Sequence, residues 1–284
     1  MTATSWQMRY TAHLGLRGTD TPQFRHSARS IDPIDQLRFI ADQGLAGAQD
    51  NFLKMRPVAE QERIGAELAR LGLAMGSFTN NPRHWNLPLW SSADADARAV
   101  LRRDLDDSIE AARRVGGRIA TCVTGLAPGV PRWRQRAAMV ENLKALADQA
   151  AYGNIVLCVE PVAASHIPGL LLDHIADAVQ VVRTVDHPAV RLLFDFGHVQ
   201  AADDDVLGHF ERSRHWIGAI QVADTPGRID LGAGELDWPR LLRAIRASGW
   251  HDLIELEHMP ARDSAQGEAQ LLQRLRAIDD SLRE

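Results

Sequence analysis

Four oxygen-bearing side chains stand at the ends of four successive apolar runs in the second half of the chain. Ile155-Val156-Leu157-Cys158-Val159 runs into Glu160 and Pro161, and Leu192-Leu193-Phe194 runs into Asp195. Ile217-Gly218-Ala219-Ile220 runs into Gln221 and on to Asp224, and Leu253-Ile254-Glu255-Leu256 runs into Glu257 and His258. Taken singly, a strand-end carboxylate is more often a capped or ion-paired surface group than a ligand. Brought to one rim, Glu160, Asp195 and Glu257 repel one another unless protons or a cation offset the charge. Three carboxylates and an amide oxygen form a hard oxygen set that suits one divalent cation, Mg²⁺ or Mn²⁺. No clustered His or Cys set in the sequence speaks for zinc. Such a set supports Lewis-acid stabilisation of an oxyanion while a neighbouring carboxylate moves a carbon-bound proton.

For those ends to share a rim, the runs must be strands of one parallel sheet. The chain has the grammar for it: short apolar runs, each followed by a loop and a longer segment of helical periodicity. Strands are predicted at 8–16, 45–51, 73–79, 118–124, 155–162, 190–196, 217–223 and 253–257. The helices between and after them are predicted at 32–44, 57–71, 93–115, 132–151, 170–185, 202–213, 238–248 and 265–282. Asp32-Pro33 reads as an N-cap followed by proline in the first turn, and Gly44 as the stop. Eight strand-helix units without a Pro/Gly/Ser-rich linker predict an α/β fold, a closed (β/α)8 TIM barrel forming a single domain over residues 1–284. A doubly wound open sheet is the runner-up, but no G-x-G-x-x-G turn follows the first strand. Catalytic groups of such barrels sit at the C-terminal strand ends, where the four oxygens lie.

Composition narrows the partners. The chain has 284 residues, 45% hydrophobic and 24% charged, which excludes disorder, collagen-like repeats and coiled coil as whole-chain readings. Lys+Arg 32 against Asp+Glu 37 gives a net charge of −5. With no basic block, nucleic acid is a poor partner. The two cysteines, Cys122 and Cys158, make neither a CxxC pair nor a disulfide framework. The first residues, Met-Thr-Ala-Thr-Ser-Trp-Gln-Met-Arg, lack a basic segment leading into an apolar one, and no run of ~18 apolar residues suits a membrane. A soluble, cytoplasmic protein is expected.

Several motifs together resemble the xylose isomerase-like barrel superfamily and, within it, the hydroxypyruvate isomerase family. Gly218-Ala219-Ile220-Gln221-Val222-Ala223-Asp224-Thr225-Pro226-Gly227-Arg228, followed by Gly232-Ala233-Gly234-Glu235, is similar to that family's H-I-Q-I-A-D-x-P-G-R and G-x-G-E pattern. Asp195-x-x-His198-x-Gln200 resembles its D-x-x-H-x-Q, Glu160-Pro161 its E-P, and Glu257-His258-x-Pro260 its E-Y-x-P. The match is specific over about residues 155–260; in the first half, Gln49 stands where many relatives carry glutamate. The resemblance implies that Glu160, Asp195, Gln221 and Glu257 hold the metal. It also implies that Glu160 and Glu257 form the proton-transfer pair on opposite faces of the substrate, and that His198 and Arg228 contact substrate oxygens. The implied reaction is isomerisation of a small hydroxy-oxo acid or sugar through an enediolate, hydroxypyruvate being the named candidate. An arginine fork suits a substrate carboxylate.

Blander readings stand beside these. His198 reads equally as a hydrogen-bonded strand-end residue, and Arg228 as a solvated loop cation. Gly232-Ala233-Gly234-Glu235 lacks the Lys-Ser/Thr of a phosphate loop and reads as a tight turn into the Trp238 helix. The Pro- and Trp-rich loop 80–90 reads as a pocket wall, as a contact in a homo-oligomer, or as ordinary packing. A sugar epimerase or a keto-polyol dehydratase would use the same groups. A phosphodiester hydrolase of the abasic-site endonuclease type would need a histidine-rich cluster where Gln49, Asn80 and Gln221 stand.

Overall fold

The computed structural model describes residues 5–283; residues 1–4, which open the segment read for a leader, and residue 284 lie outside the described residues. The strands are β1 (Tyr10–Gly15), β2 (Gly47–Asp50), β3 (Ala74–Met75), β4 (Phe78–Thr79), β5 (Ile119–Cys122), β6 (Val156–Val159), β7 (Val190–Asp195), β8 (Ile217–Val222) and β9 (Ile254–Leu256). The helices are α1 (Pro33–Asp42), α2 (Val58–Leu71), α3 (Ala95–Val115), α4 (Arg132–Tyr152), α5 (Ile175–Val185), α6 (Phe196–Asp203), α7 (Val206–Ser213), α8 (Trp238–Ala247) and α9 (Ala265–Asp280).

Three expectations are corrected. The predicted third strand is two short pieces, β3 and β4, interrupted at Gly76-Ser77. The helix expected at 202–213 begins at Phe196, directly on the end of β7, and breaks in two at Asp204-Asp205. The cause is Asp195, which is both the last strand residue and an N-cap: its side chain accepts from His198 N at 2.8 Å. The helix expected at 170–185 begins only at Ile175, and Leu170 instead pairs with Gly125. Asp32 caps α1 through Ile34 N at 2.8 Å, and Gly72 ends α2 in the left-handed conformation.

The chain divides into two compact units, Met1–Gly76 with Ile220–Glu284, and Ser77–Ala219. In the first, parallel pairing runs β3-β2-β1-β9-β8 and sets His13 beside Gln49, Thr11 beside Glu255, and Gln221 beside Glu255. In the second it runs β4-β5-β6-β7. Side chains alternate along a strand. Tyr10, Ala12 and Leu14 of β1 are therefore buried on one face, the side of Leu37 and Ile40 of α1, while Thr11 and His13 lie on the other. In the second unit the same alternation places Glu160 one step beyond Cys158, and Asp195 one step beyond Leu193. Cys158 and Leu193 form an apolar layer with Ala219, Ile119 and Val156.

Asp279 of α9 ties the N-terminal segment to the first unit. Its fully buried carboxylate accepts from Gln7 N at 2.7 Å, Met8 N at 3.2 Å and the Tyr10 hydroxyl at 3.1 Å. Asp279→Ala strands two buried donors and a part-buried one and is expected to cost about 3 kcal/mol, against about 1 kcal/mol for Tyr10→Phe. Denaturant titration of the two variants checks the ranking.

Candidate functional site

In the second unit, Glu160, Asp195 and His198 each offer one ligand atom, and the three atoms lie within 4.8 Å of one another. Glu160 follows β6, Asp195 ends β7, and His198 sits in the first turn of α6. Because Asp195 Oδ1 receives the His198 amide, one interaction fixes both the helix start and the position of the imidazole. His198 Nε2 stands 3.9 Å from Glu160 Oε1. Its Nδ1 stands 3.2 Å from Nδ1 of His166, in the loop after β6, so one of these two nitrogens carries the hydrogen. Two carboxylates and an imidazole so placed fit a divalent cation.

In the first unit the centre is Glu257, just past β9, its side chain 9% exposed. Oε1 accepts from Asn51 Nδ2 at 2.9 Å, and Oε2 accepts from Gln49 Nε2 at 3.0 Å and lies 3.1 Å from His13 Nε2. A carboxylate only accepts, so His13 carries its hydrogen on Nε2. The Gln49 amide is oriented from its other end, where Oε1 accepts from the Thr11 hydroxyl. Burial pushes the Glu257 carboxyl up, but His13, Arg228 and Asn51 outweigh it, and the group titrates below the usual glutamate range. Gln221 projects from β8, and its Nε2 donates to Glu255 Oε2 at 3.2 Å.

Arg228 lies in the loop after β8 and donates from Nη2 to the Glu257 carbonyl at 2.8 Å. That loop is built on Asp224, whose carboxylate accepts from the backbone N–H of Thr225, Gly232, Gly234 and Leu236 at 2.8 to 3.1 Å. Asp224 is thereby spent on structure. Gly234 is required there, since a Cβ would lie 2.2 Å from the Thr225 carbonyl oxygen. The expected tight turn before Trp238 is present, and Asp237 caps α8 through Arg240 N at 3.1 Å. On the β2 side, buried Arg56 joins Asp50 to the Leu14 carbonyl, anchoring the strand ends that carry His13 and Gln49.

The fold is a (β/α)8 barrel. The crystal structure of an AP endonuclease, family 2, from Brucella melitensis matches it with a TM-score of 0.80, at 23% identity, over 94% of this chain and 99% of that one. At that identity the likeness establishes the fold alone. The chain belongs to the xylose isomerase-like TIM barrel family, whose sequence model matches residues 37–278. It is similar to a 2-oxo-tetronate isomerase of Cupriavidus necator, 29% identical over 80% of this chain and 89% of the relative. It is also similar to a hydroxypyruvate isomerase of Escherichia coli, 27% identical over 64% of this chain and 74% of the relative.

Three residues escaped the motif reading. His13 and Glu255 occupy alternate positions inside apolar strands, where a polar residue at period two was the available signal. His166 lies in a loop with no periodicity, and only the folded loop brings it to His198.

Two expected outcomes follow. His258 is buried, and that burial pulls its pKa from 6.5 down to about 4. The unfolded state therefore binds the proton first, so stability present above pH 6.5 is lost as pH falls toward 4, by about 3 kcal/mol. His258→Gln removes that slope, which melting curves across the window measure. Gln49→Glu sets a second carboxylate against Glu257, and the two cannot both ionise without cost. It is expected to lower the melting temperature by about 5 °C near neutral pH, with the difference shrinking toward pH 5.

Proposed function

We propose that this chain is a divalent-metal-dependent isomerase that shifts a proton between neighbouring carbons of a small hydroxy-oxo acid or sugar. The observation that carries the reading is the approach of Glu160, Asp195 and His198, whose ligand atoms lie within 4.8 Å of one another at the ends of adjacent strand-helix units. Family membership and the names of its relatives point the same way. Hydroxypyruvate and 2-oxo-tetronate are the first acids to test.

In this reading Glu160, Asp195, Gln221 and Glu257 ligate one Mg²⁺ or Mn²⁺. The cation supplies Lewis-acid stabilisation of charge developing on a substrate oxygen. Glu160 and Glu257 move the carbon-bound proton, and the donors on Glu257 favour its ionised, proton-accepting form. His198 contacts a substrate oxygen, and Arg228 receives a substrate carboxylate through its planar fork. A single barrel domain, cytoplasmic and acting on a small molecule rather than on nucleic acid or a membrane, completes the proposal. It accords with the acidic net charge of −5 and with the lack, among the described residues, of a helix long and apolar enough to cross a membrane. A homo-oligomer is part of the same proposal.

Proton exchange in D₂O, followed by NMR with hydroxypyruvate, 2-oxo-tetronate and a ketose panel, tests the reading. Glu160→Gln and Glu257→Gln are each expected to slow exchange by about 10²–10⁴-fold. Chelation should abolish it, and Mn²⁺ should restore it. Exchange that survives both substitutions removes the glutamates from the reaction, and an unchanged rate after metal stripping removes the cation. Product analysis separates the neighbouring chemistries: epimerisation returns the proton to the same carbon, and dehydration yields water and a conjugated product.

A further inference from the structure

Glu255 is a carboxylate in the middle of a strand, 2% exposed, with no place in the reaction proposed above. In the second unit, by contrast, Cys158, Leu193 and Ala219 form an apolar cluster. A leucine or valine is the ordinary occupant of such a position, because a buried carboxylate costs stability unless its partners compensate.

Three observations converge on what it does. Strand register makes Glu255 the direct neighbour of Gln221 across the β8-β9 pair, so the two side chains leave the same face of the sheet. Glu255 Oε2 accepts from Gln221 Nε2 at 3.2 Å. Gly76 makes room for it: a Cβ there would lie 2.7 Å from Glu255 Oε1 and 3.2 Å from Gln49 Cβ. Gly76 is not among the glycines of positive φ, so space and not backbone conformation accounts for it.

We infer that Glu255 is a positioning residue that sets the orientation of the Gln221 amide. The inference rests on the proposed ligation by Gln221. A glutamine side chain can ligate a hard cation only through its oxygen, and the amide is nearly symmetric in shape, so it needs a partner that distinguishes its two ends. A carboxylate does so, because it accepts from the nitrogen and repels the oxygen. With Nε2 held on Glu255, Oε1 is the atom presented elsewhere. The carboxylate also adds a negative charge beside the ligand set, which favours a cation.

Mn²⁺ titration of the full-length protein by electron paramagnetic resonance tests this without relying on turnover. Glu255→Leu is expected to weaken Mn²⁺ binding about 10–100-fold, in the range of second-sphere changes at metal sites. Gln221→Leu should weaken it comparably, and the double variant should bind no worse than Gln221→Leu alone, because residues acting through one contact are not additive. Glu255→Gln keeps the volume but can donate to Gln221 Oε1 as readily as accept from Nε2, and it carries no charge, so it too should weaken binding, by a factor between those of the parent and Glu255→Leu. Gly76→Ala leaves the carboxylate intact but takes its space, so it should reproduce the loss; it also keeps the test open should Glu255→Leu fail to fold. Parent affinity in both Glu255→Leu and Gly76→Ala, or losses that multiply in the double variant, overturn the assignment while leaving the metal reading in place. A parent protein that binds no Mn²⁺, or binds it equally well as Glu160→Gln, overturns both.

Discussion

A carboxylate removed from water has to be answered by donors or by a cation, and that requirement organises this molecule. Asp279 is answered by two backbone amides and a tyrosine hydroxyl, and Asp224 by four backbone amides. Asp50 is answered by a buried guanidinium, and Glu255 by an amide. Each solution holds two or more segments in register. The terminal segment, the loop after β8, and the ends of β1 and β2 are all positioned by a buried acid and its donors.

The acids fall into two groups by the kind of donor that answers them. Asp224 and Asp279, paired with several backbone N–H groups, are committed to structure, because those donors cannot move without unfolding a loop. Glu257 is held instead by the side chains of Asn51, Gln49 and His13, and Glu160 stands near His198. Side-chain donors can rearrange around a ligand without moving the backbone. Asp224, which sits within the same family-like motif, serves as the post on which the Arg228 loop turns.

A shared barrel does not fix a reaction, since chemistry resides in the strand-end groups and the loops that follow them. The AP endonuclease barrel of Brucella melitensis overlays this chain closely. Yet Gln49 and Gln221 here are amides, each oriented by a neighbour, Thr11 in one case and Glu255 in the other. An amide offers an oxygen without the charge of a carboxylate.

The strand-helix alternation, the Asp32-Pro33 helix start and the strand-end positions of Glu160, Asp195 and Gln221 were legible in the sequence, because periodicity and caps are local properties of a few consecutive residues. Glu257 was legible by its motif, although it lies one residue past the end of its strand. The break of the third strand at Gly76-Ser77 and the immediate start of α6 were not, since the first depends on what packs against Gly76 and the second on Asp195 serving strand and helix at once. The pairings of His13 with Glu257, His166 with His198, and Glu255 with Gln221 were decided only in the fold. They join residues separated by 244, 32 and 34 positions, and no one-dimensional pattern encodes which face of which strand a distant partner will meet.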